Sequence, residues 1–339
     1  MKKEYNFIDI AKFVLAIGIV AIHSNVFDAT NNIAIYIIYK GITRLGVPFF
    51  FVASGFFLYN KLSNAKSDNI VIGEYIKRLL IPFFFWILID FFPLKFIPFM
   101  LLKGNAFMFA LKTIRNLIFY PWGAMWYISA LIVAVLVIVC FYKKIKLRNI
   151  VIIGSILYLF ALLCNNYYFL IENTFIQNVV DLYLKIAISS RNGIFEGLFF
   201  VSVGMYISEL KKIGKINFKL TNTIFSISYV LLIIEILLIK NYNYKDDGSL
   251  YLMFLLLITS MFTFLLQFKT KFDTTKLRNY STGLYFMHYF IIGNLNVIES
   301  LLNISIGHIY IFIIVLFMSL VLLTILYKMN NKYINMVIK

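Results

Sequence analysis

The chain has 339 residues, of which 62% are hydrophobic, 18% are aromatic and only 14% are charged. Soluble domains carry about 25% charged residues, so this composition excludes a soluble globular protein and indicates an integral membrane protein of several helices. The formal charge of +17 does not indicate nucleic-acid binding, because the Lys and Arg residues stand between apolar runs, where the positive-inside rule places them.

The apolar runs predict an all-α fold of about ten transmembrane helices, with residues 1–339 forming a single membrane domain and no soluble domain. The predicted spans are residues 7–27, 43–60, 79–98, 123–142, 149–165, 193–208, 221–240, 250–268, 280–298 and 305–327. The first span lacks a small-residue cleavage site, so we expect a retained helix and not a signal peptide. Basic residues concentrate at 2–3, 61–78, 143–148, 211–219, 269–278 and 328–339, which predicts that these segments and both termini are cytoplasmic.

The first span carries the ionisable side chains Asp9, Lys12 and His23. Ionisable groups inside a spanning helix are costly and normally face a cavity or a partner, so they are candidates for function. Lys12 and His23 are eleven positions apart, which corresponds to about 16 Å of helical rise and almost three full turns. One face of this helix is therefore predicted to carry a cation near the inner surface and an imidazole closer to the outer surface.

The second span combines Arg44 with a Ser54-Gly55 pair in the middle of an apolar run. Small residues in a spanning helix often let a neighbouring helix approach closely, so a packing interpretation of this pair competes with a functional one. Trp122 and Trp126 open the fourth span. Aromatic residues at the end of a span commonly form a belt at the membrane surface, which is the structural alternative to substrate binding.

Other polar residues are equally open to two interpretations. Lys77 and Arg78 precede the third span, where basic residues are ordinary membrane anchors or phosphate ligands. Arg191 and Glu196 in the sixth span are either a structural pair or part of a site. His288 lies near the middle of the ninth span, and a lone buried histidine is more often a hydrogen-bonded structural group than a catalyst.

Five ordered elements of the sequence resemble the acyltransferase-3 family of membrane acyltransferases. They are Lys12-x10-His23, Pro48-Phe-Phe-Phe-x-x-Ser54-Gly55-Phe56, Lys77-Arg78 before Leu79-Leu-Ile-Pro82, Met125-Trp126-Tyr127, and Ser281-x-Gly283-x-Tyr285-x-x-His288. The third element departs from the family's Arg-x-x-Arg, because Tyr75 occupies the first arginine position. The Arg191-Asn-Gly element is similar to a branch of the family that includes the membrane domain of serine racemases from vancomycin-resistant bacteria.

The resemblance implies a membrane O-acetyltransferase in a bacterial plasma membrane. Its acyl donor is then cytoplasmic acetyl-CoA, and its acceptor is a hydroxyl of an extracytoplasmic glycan such as a capsule, an exopolysaccharide or a cell-wall polymer. The donor phosphates need cations on the inner side, which Lys12, Lys77 and Arg78 supply, and Ser54 joins this predicted donor site.

The acceptor hydroxyl needs a base near the outer side, and the neutral imidazole of His23 suits this role. His23 is equally suited to carry the acyl group covalently, and His288 is the second catalytic candidate. The predicted acceptor site offers aromatic faces and hydrogen-bond donors for a sugar ring, from Arg44, Trp122, Trp126, Arg191 and Glu196. No Cys/His cluster has metal-ligand spacing, so no metal is expected.

Two other classes of function remain open from the sequence. The protein can be a transporter of a small molecule such as serine, which inverted repeats and broken helices would favour; no repeat is visible and only span 3 looks broken. It can also be a non-catalytic partner in polysaccharide export, in which case replacing His23 has little effect.

Overall fold

The structure is a computed structural model that describes residues 5–27, 32–242 and 244–338. Lys2, Lys3 and Lys339 of the predicted charge pattern lie outside the described residues. Over the described ranges the chain consists of helices and loops without a β-strand, which confirms the predicted all-α class. The α-helices are α1 (Asn6–His23), α2 (Ile33–Ile37), α3 (Gly46–Leu62), α4 (Asp68–Phe91), α5 (Ile97–Leu102), α6 (Ala106–Phe119), α7 (Met125–Phe141), α8 (Leu147–Leu163), α9 (Phe175–Ala187), α10 (Leu198–Lys212), α11 (Phe218–Ile239), α12 (Phe254–Leu265), α13 (Thr275–Leu302), α14 (His308–Lys328) and α15 (Lys332–Ile338).

Irregular turns extend three of these helices. A π-helical segment (Ile38–Ile42) and a 3-10 turn (Thr43–Leu45) join α2 to α3, a second π segment (Phe92–Phe96) joins α4 to α5, and a third (Gly193–Gly197) leads into α10. Pro93 lies in the second segment, where its missing N–H prevents the regular helical hydrogen bond. Departures from regular α-helix are frequent at functional sites, and two of the predicted site residues, Arg44 and Glu196, lie in irregular turns.

Each predicted span coincides with a helix, although several helices extend further than predicted. The helical run that contains span 2 begins at Ile33, and the one that contains span 3 begins at Asp68. Among the described residues, six helical runs are long and apolar enough to cross a membrane: Asn6–His23, Ile33–Leu62, Asp68–Leu102, Gly193–Lys212, Phe218–Ile239 and His308–Lys328. The apolar helices α7, α8 and α12 are shorter. The protein is therefore a multi-pass membrane protein, while the number ten stays a prediction.

Close packing of α3 against α10 forms the centre of the fold. A Cβ atom on Gly55 would lie 2.0 Å from the carbonyl oxygen of Val201, and one on Gly204 would lie 2.0 Å from the carbonyl oxygen of Val52. Only glycine lets two helix backbones approach so closely. The packing interpretation of the Ser-Gly pair therefore holds for Gly55.

The first helix packs against α3 and α13, and polar side chains at its N-terminal end bind residues at the start of α13. Asp9 accepts a hydrogen bond of 3.0 Å from the Thr274 hydroxyl and lies 3.8 Å from the Arg278 guanidinium. The Asn6 amide donates to the Phe272 carbonyl over 2.8 Å. These contacts set the register in which Lys12 and His23 of α1 face α13.

The two longest helices outside the predicted spans are α6 and α9. Helix α6 lies in the connection after α5, and α9 lies between α8 and α10. Both expose large apolar side chains, among them Phe107 and Phe175, and both carry polar residues on their other faces. Their composition is that of amphipathic helices at a membrane surface.

Candidate functional site

The N-terminal half of α1 contributes to a cavity of about 210 Å³, which we name the Lys12 cavity. Helices α1, α3, α4, α7 and α13 line it. Its polar lining consists of Lys12, Ser54, Arg78, Tyr127, Ser281, Thr282 and Tyr285. Three residues predicted to bind the donor, Lys12, Ser54 and Arg78, thus meet in one cavity although they come from three different helices.

Several side chains in and around the Lys12 cavity contact one another. The Ser54 hydroxyl lies 3.4 Å from the Tyr127 hydroxyl, and the Lys12 ammonium lies 5.9 Å from the centre of the Phe50 ring. Tyr75, which replaces an arginine of the family pattern, interacts with Ser54 from α4. Lys77 does not line the cavity, so the structure separates it from the other predicted donor residues.

The C-terminal end of α1 contributes His23 to a second, smaller cavity of about 20 Å³, which we name the His23 cavity. This volume is enough for a single water molecule. The polar lining consists of His23, Thr43, Arg44, Arg191, Glu196 and Ser249. Three residues predicted for the acceptor side, Arg44, Arg191 and Glu196, therefore converge on the predicted base.

The imidazole of His23 is held in place by α13. Its Nδ1 atom forms a 2.8 Å hydrogen bond with the Tyr289 hydroxyl. Its ring lies 4.5 Å from the Tyr289 ring and 5.4 Å from the His288 ring, measured between centres. This arrangement engages Nδ1 and leaves Nε2 as the nitrogen for a substrate group.

The imidazole of His288 is completely buried in the middle of α13. Its Nδ1 atom lies 2.9 Å from the carbonyl oxygen of Leu284, and because a carbonyl only accepts, Nδ1 carries the proton. The Nε2 atom has no hydrogen-bond partner among the described residues. The Nδ1 atom of His288 is therefore hydrogen-bonded to the backbone, as in a structural histidine, whereas its Nε2 atom is not.

A network of charges, in which the arginines are buried and the carboxylate of Asp247 is partly exposed, closes the His23 cavity on the side of the loop between α11 and α12. The Arg44 guanidinium lies 3.0 Å from Asp247 Oδ2, and Arg191 forms an ion pair with the same oxygen. The Nε atom of Arg191 lies 3.9 Å from Glu196 Oε2. The side chains of Arg44 and Arg191 are only 9% and 10% exposed, so their charges depend on these partners.

The two predicted tryptophans differ in their surroundings. The Arg191 guanidinium lies 4.1 Å above the centre of the Trp126 ring, which stacks on Tyr120 at 5.5 Å. Trp122 instead donates a 3.2 Å hydrogen bond to the Ile87 carbonyl. Trp126 therefore belongs to the charge network, whereas the structure places Trp122 against α4 and outside both cavities.

Sequence reasoning missed two residues that complete the geometry, Asp247 and Tyr289. Burial raises the pKa of the Asp247 carboxyl, but Arg191 and Arg44 outweigh this effect and hold the pKa below its ordinary value. Asp247 lies in a polar loop without a motif, so nothing in the sequence signalled it. The need for a carboxylate becomes visible only where two buried arginines meet in the structure. Tyr289 directly follows the histidine of the ninth-span motif, and this position was its only signal.

The arrangement can accept a proton at His23, hold anionic groups at Lys12 and Arg78, and orient a polar molecule with Arg44, Arg191 and Glu196. Among the described residues, no group of three or more His, Cys, Asp and Glu side chains is placed to hold a metal ion.

Comparison with known proteins connects this geometry with a family. The sequence model of the acyltransferase-3 family, described as an acyltransferase domain, matches residues 5–328. The chain is 28% identical over 275 residues to an amino-acid racemase of Enterococcus faecalis, a match that covers 79% of this chain and 37% of the racemase. It is 24% identical over 319 residues to a serine/alanine racemase of Enterococcus gallinarum, covering 92% of this chain and 44% of that protein. The chain thus spans less than half the length of these relatives.

No solved structure matches the chain. The family match extends from α1 to α14, and it includes both cavities, from Lys12 and His23 at one end of the sequence to His288 at the other. The chain therefore belongs to the acyltransferase-3 family of membrane proteins.

Proposed function

We propose that the protein is a membrane O-acetyltransferase that moves an acetyl group from cytoplasmic acetyl-CoA to a hydroxyl of an extracytoplasmic glycan. The observation that carries the proposal is the position of the two cavities on α1. Lys12 and Arg78 line one cavity and His23 lines the other, about 16 Å further along the helix. Acyl transfer across part of a membrane needs this separation of donor charges from the acceptor's base.

The Lys12 cavity supports a donor with phosphate groups. Lys12 and Arg78 bring two cations to a partly apolar cavity, where phosphates form strong charge-assisted hydrogen bonds. Ser54, Tyr127 and Tyr285 add hydroxyl groups to the same lining. The volume of about 210 Å³ is too small for a whole nucleotide, so this proposal places the donor phosphates beside Lys12 and Arg78 and directs the acyl end towards His23.

The His23 cavity supports proton removal from an acceptor hydroxyl. With the Nδ1 proton donated to the Tyr289 oxygen, Nε2 of the neutral imidazole holds the lone pair that takes the hydroxyl proton. Arg44 and Arg191 then offer hydrogen-bond donors to the acceptor, of which only a hydroxyl fits the cavity of about 20 Å³. In the same geometry His23 can act as a covalent acyl carrier, and trapping of an acetylated His23 decides between the two roles.

The orientation that this function needs places both termini and the Lys12 cavity on the cytoplasmic side. The basic loop from Lys143 to Arg148 supports it, because positive charge concentrates on the cytoplasmic side of membrane proteins. A Lys144→Cys variant should resist a membrane-impermeant thiol reagent in sealed cells and react after permeabilisation. Labelling of the introduced thiol in sealed cells would reverse the orientation.

The function is tested with purified protein in proteoliposomes, [¹⁴C]acetyl-CoA and a panel of soluble oligosaccharides that includes chitotetraose and peptidoglycan fragments. We expect label in an alkali-labile ester on one of these sugars. Matched vesicles that contain the His23→Gln variant control for non-enzymatic acetylation. Consumption of acetyl-CoA without an acetylated sugar would remove the glycan acceptor, and no consumption at all would remove the transferase.

A second candidate function is transport of a small amino acid such as serine. It is favoured by the names of the relatives, which concern amino acids, and by the paired positive and negative charges at the His23 cavity, which complement a zwitterion. Vesicles loaded with buffer and supplied with [³H]serine distinguish it. Uptake of serine with no acetylated product supports transport, and ester formation without uptake supports the transferase.

A further inference from the structure

A third cavity, of about 480 Å³, lies between α4 and the C-terminal helix α15, and we name it the α15 cavity. Its lining consists of Arg78, Ile81, Asn330, Lys332, Asn335 and Met336. Arg78 also lines the Lys12 cavity, so the two cavities adjoin at this side chain. Sites for small molecules commonly measure about 300–1,000 Å³. The α15 cavity therefore has the volume that the Lys12 cavity lacks for a nucleotide.

The local sequence turns the chain back to form the wall of this cavity. Asn330 takes a left-handed conformation with a φ of 46°, which asparagine adopts more readily than most residues. The Asn331 side chain then accepts hydrogen bonds from the backbone N–H groups of Tyr333 and Ile334, over 2.8 and 3.3 Å, and so caps α15. The Asn-Asn pair thus ends α14 and starts α15 after a sharp turn.

Contacts at the other end of α15 hold the helix against the membrane domain. The Trp86 indole of α4 donates a 2.8 Å hydrogen bond to the Val337 carbonyl. The Tyr327 hydroxyl of α14 lies 3.2 Å from the Ile338 carbonyl oxygen, and Ile338 itself is buried. Because both ends of this short helix are bonded in place, α15 is a fixed wall of the cavity.

The face of α15 that lines the cavity is polar and has an unpaired acceptor. Lys332, Asn335 and Met336 are spaced three and four residues apart, so they lie on one face of the helix. The Oδ1 atom of Asn335 is buried and has no hydrogen-bond partner in the described part of the chain. A buried acceptor without a donor is unfavourable, so this oxygen points to a ligand that brings an N–H group.

The remaining lining fits a phosphorylated nucleoside. The exposed ammonium of Lys332 is suited to a phosphate, with which it forms charge-assisted hydrogen bonds. The side-chain amides of Asn330 and Asn335 offer donors and acceptors for the edge of a base. Ile81 and Met336 offer apolar surface for the face of the base. A phosphate without a base would leave the amides and the apolar surface unused.

We propose that the α15 cavity binds the adenosine 3′-phosphate end of the acyl donor, with Lys332 at the 3′-phosphate and Asn335 at the amino group of the adenine. This inference rests on the proposed function, because it completes the donor site. The diphosphate of the donor then lies at Arg78, where the two cavities adjoin. The pantetheine arm passes through the Lys12 cavity towards His23.

The test compares the binding of CoA and dephospho-CoA, which differ only in the 3′-phosphate. Purified protein in phosphatidylcholine nanodiscs is titrated with each ligand in a calorimeter, so no turnover is needed. The wild type should bind CoA about tenfold more tightly, the worth of one charge-assisted hydrogen bond. In Lys332→Ala this preference should disappear, while the affinity for dephospho-CoA stays unchanged. Lys328→Ala removes a nearby exposed lysine that does not line the cavity, and it should keep the preference.

A second variant tests the contact with the base. Asn335→Ala removes the unpaired acceptor, so CoA and dephospho-CoA should both bind about fivefold more weakly, the worth of one neutral hydrogen bond. The affinity for 4′-phosphopantetheine, which has no base, should stay unchanged. That unchanged affinity also shows that the variant is folded.

The source of the phosphate is decided by displacement of bound CoA. Adenosine 3′,5′-bisphosphate should displace CoA, whereas sn-glycerol 3-phosphate, the soluble equivalent of a lipid headgroup, should not at the same concentration. Equal displacement by both compounds would assign the cavity to a lipid headgroup and overturn the nucleotide site.

The remaining outcomes separate this inference from the proposed function. Equal affinity of the wild type for CoA and dephospho-CoA, or an unchanged preference in Lys332→Ala, overturns the α15 site. The transferase then stands or falls by ester formation, which is measured independently. A preference for CoA that depends on Lys332, together with no ester on any acceptor, refutes the transferase and supports the nucleotide site. Absence of CoA binding overturns the α15 site and the acetyl-CoA donor together.

Discussion

Replacing His23 by Gln tests the assigned base most directly. The Gln amide reaches nearly as far as the imidazole and can keep a hydrogen bond to the Tyr289 hydroxyl, which lies 2.8 Å from His23 Nδ1. It does not take up a proton at neutral pH. The variant should therefore insert and pack like the wild type, and lose only the proton acceptor.

The size of the expected loss follows from the role. A positioned general base contributes about 10²–10⁴ in rate, which equals about 2.7–5.4 kcal/mol of transition-state stabilisation. The retained hydrogen bond limits the change in the free energy of unfolding to about 1 kcal/mol. Transfer should thus fall by about 100-fold or more, while the amount of folded protein stays nearly constant.

The assay follows [¹⁴C]acetyl transfer to the oligosaccharide in proteoliposomes and measures folded protein by size-exclusion chromatography in detergent. The matched control is His308→Gln. His308 Nδ1 bonds to the Asn25 carbonyl over 2.8 Å and its side chain is exposed outside both cavities. Its replacement should leave transfer unchanged.

Three results would bear against the assignment. Full transfer by His23→Gln would show that His23 is a structural residue, since an amide can replace only its hydrogen bond. An equal loss in His308→Gln would show that the assay responds to general damage. Loss of folded protein in His23→Gln would show that the imidazole supports packing, and a His23→Asn variant would then separate folding from catalysis.

The other predictions concern the donor, the helix packing and the charge network. We expect the KM for acetyl-CoA to rise about tenfold or more in Lys12→Ala and in Arg78→Ala, and to rise less in Lys12→Arg. Lys77→Ala, outside the cavity, is the control and should have little effect on the same saturation curve. Gly55→Ala should reduce the yield of folded protein in size-exclusion chromatography, because its Cβ would lie 2.0 Å from a carbonyl oxygen of α10; a normal yield would refute the close packing. Asp247→Asn should lower stability by about 2 kcal/mol at pH 7, because it removes the counter-charge that two buried guanidiniums share. Since the pKa of Asp247 is lowered in the folded state, its contribution is fully present above the ordinary Asp pKa of about 3.9 and is lost only as the pH falls further. Thermal unfolding of both proteins at pH 7 and pH 4.5 should therefore give the same difference, and a difference that vanishes by pH 4.5 would contradict the lowered pKa.

Much of the fold was predictable because membrane helices can be recognised from local sequence. A bilayer requires long apolar runs with internally satisfied backbones, so spans, class and the polar residues within spans can be recognised without tertiary information. The same logic singled out Lys12 and His23. It failed at the ends of helices: the run that contains Ser54 begins at Ile33, ten residues before the predicted span, and continues through Lys40 and Gly41. Helix α9 escaped detection because an amphipathic surface helix lacks a continuous apolar run.

The composition of the site was decided by tertiary structure. Arg44, Arg191, Glu196 and Asp247 come from three distant parts of the sequence, and their pairing depends on how the α11–α12 loop meets α1, α3 and α10. Lys77 and Arg78 are neighbours in sequence, yet only Arg78 lines the Lys12 cavity, because adjacent residues on a helix point about 100° apart. The bond between Tyr289 and His23 joins residues that are 266 positions apart. The free-energy cost of burying an ionisable group depends on that residue alone, so the sequence reveals it. Which partner offsets the cost depends on the tertiary contacts, so only the fold reveals it.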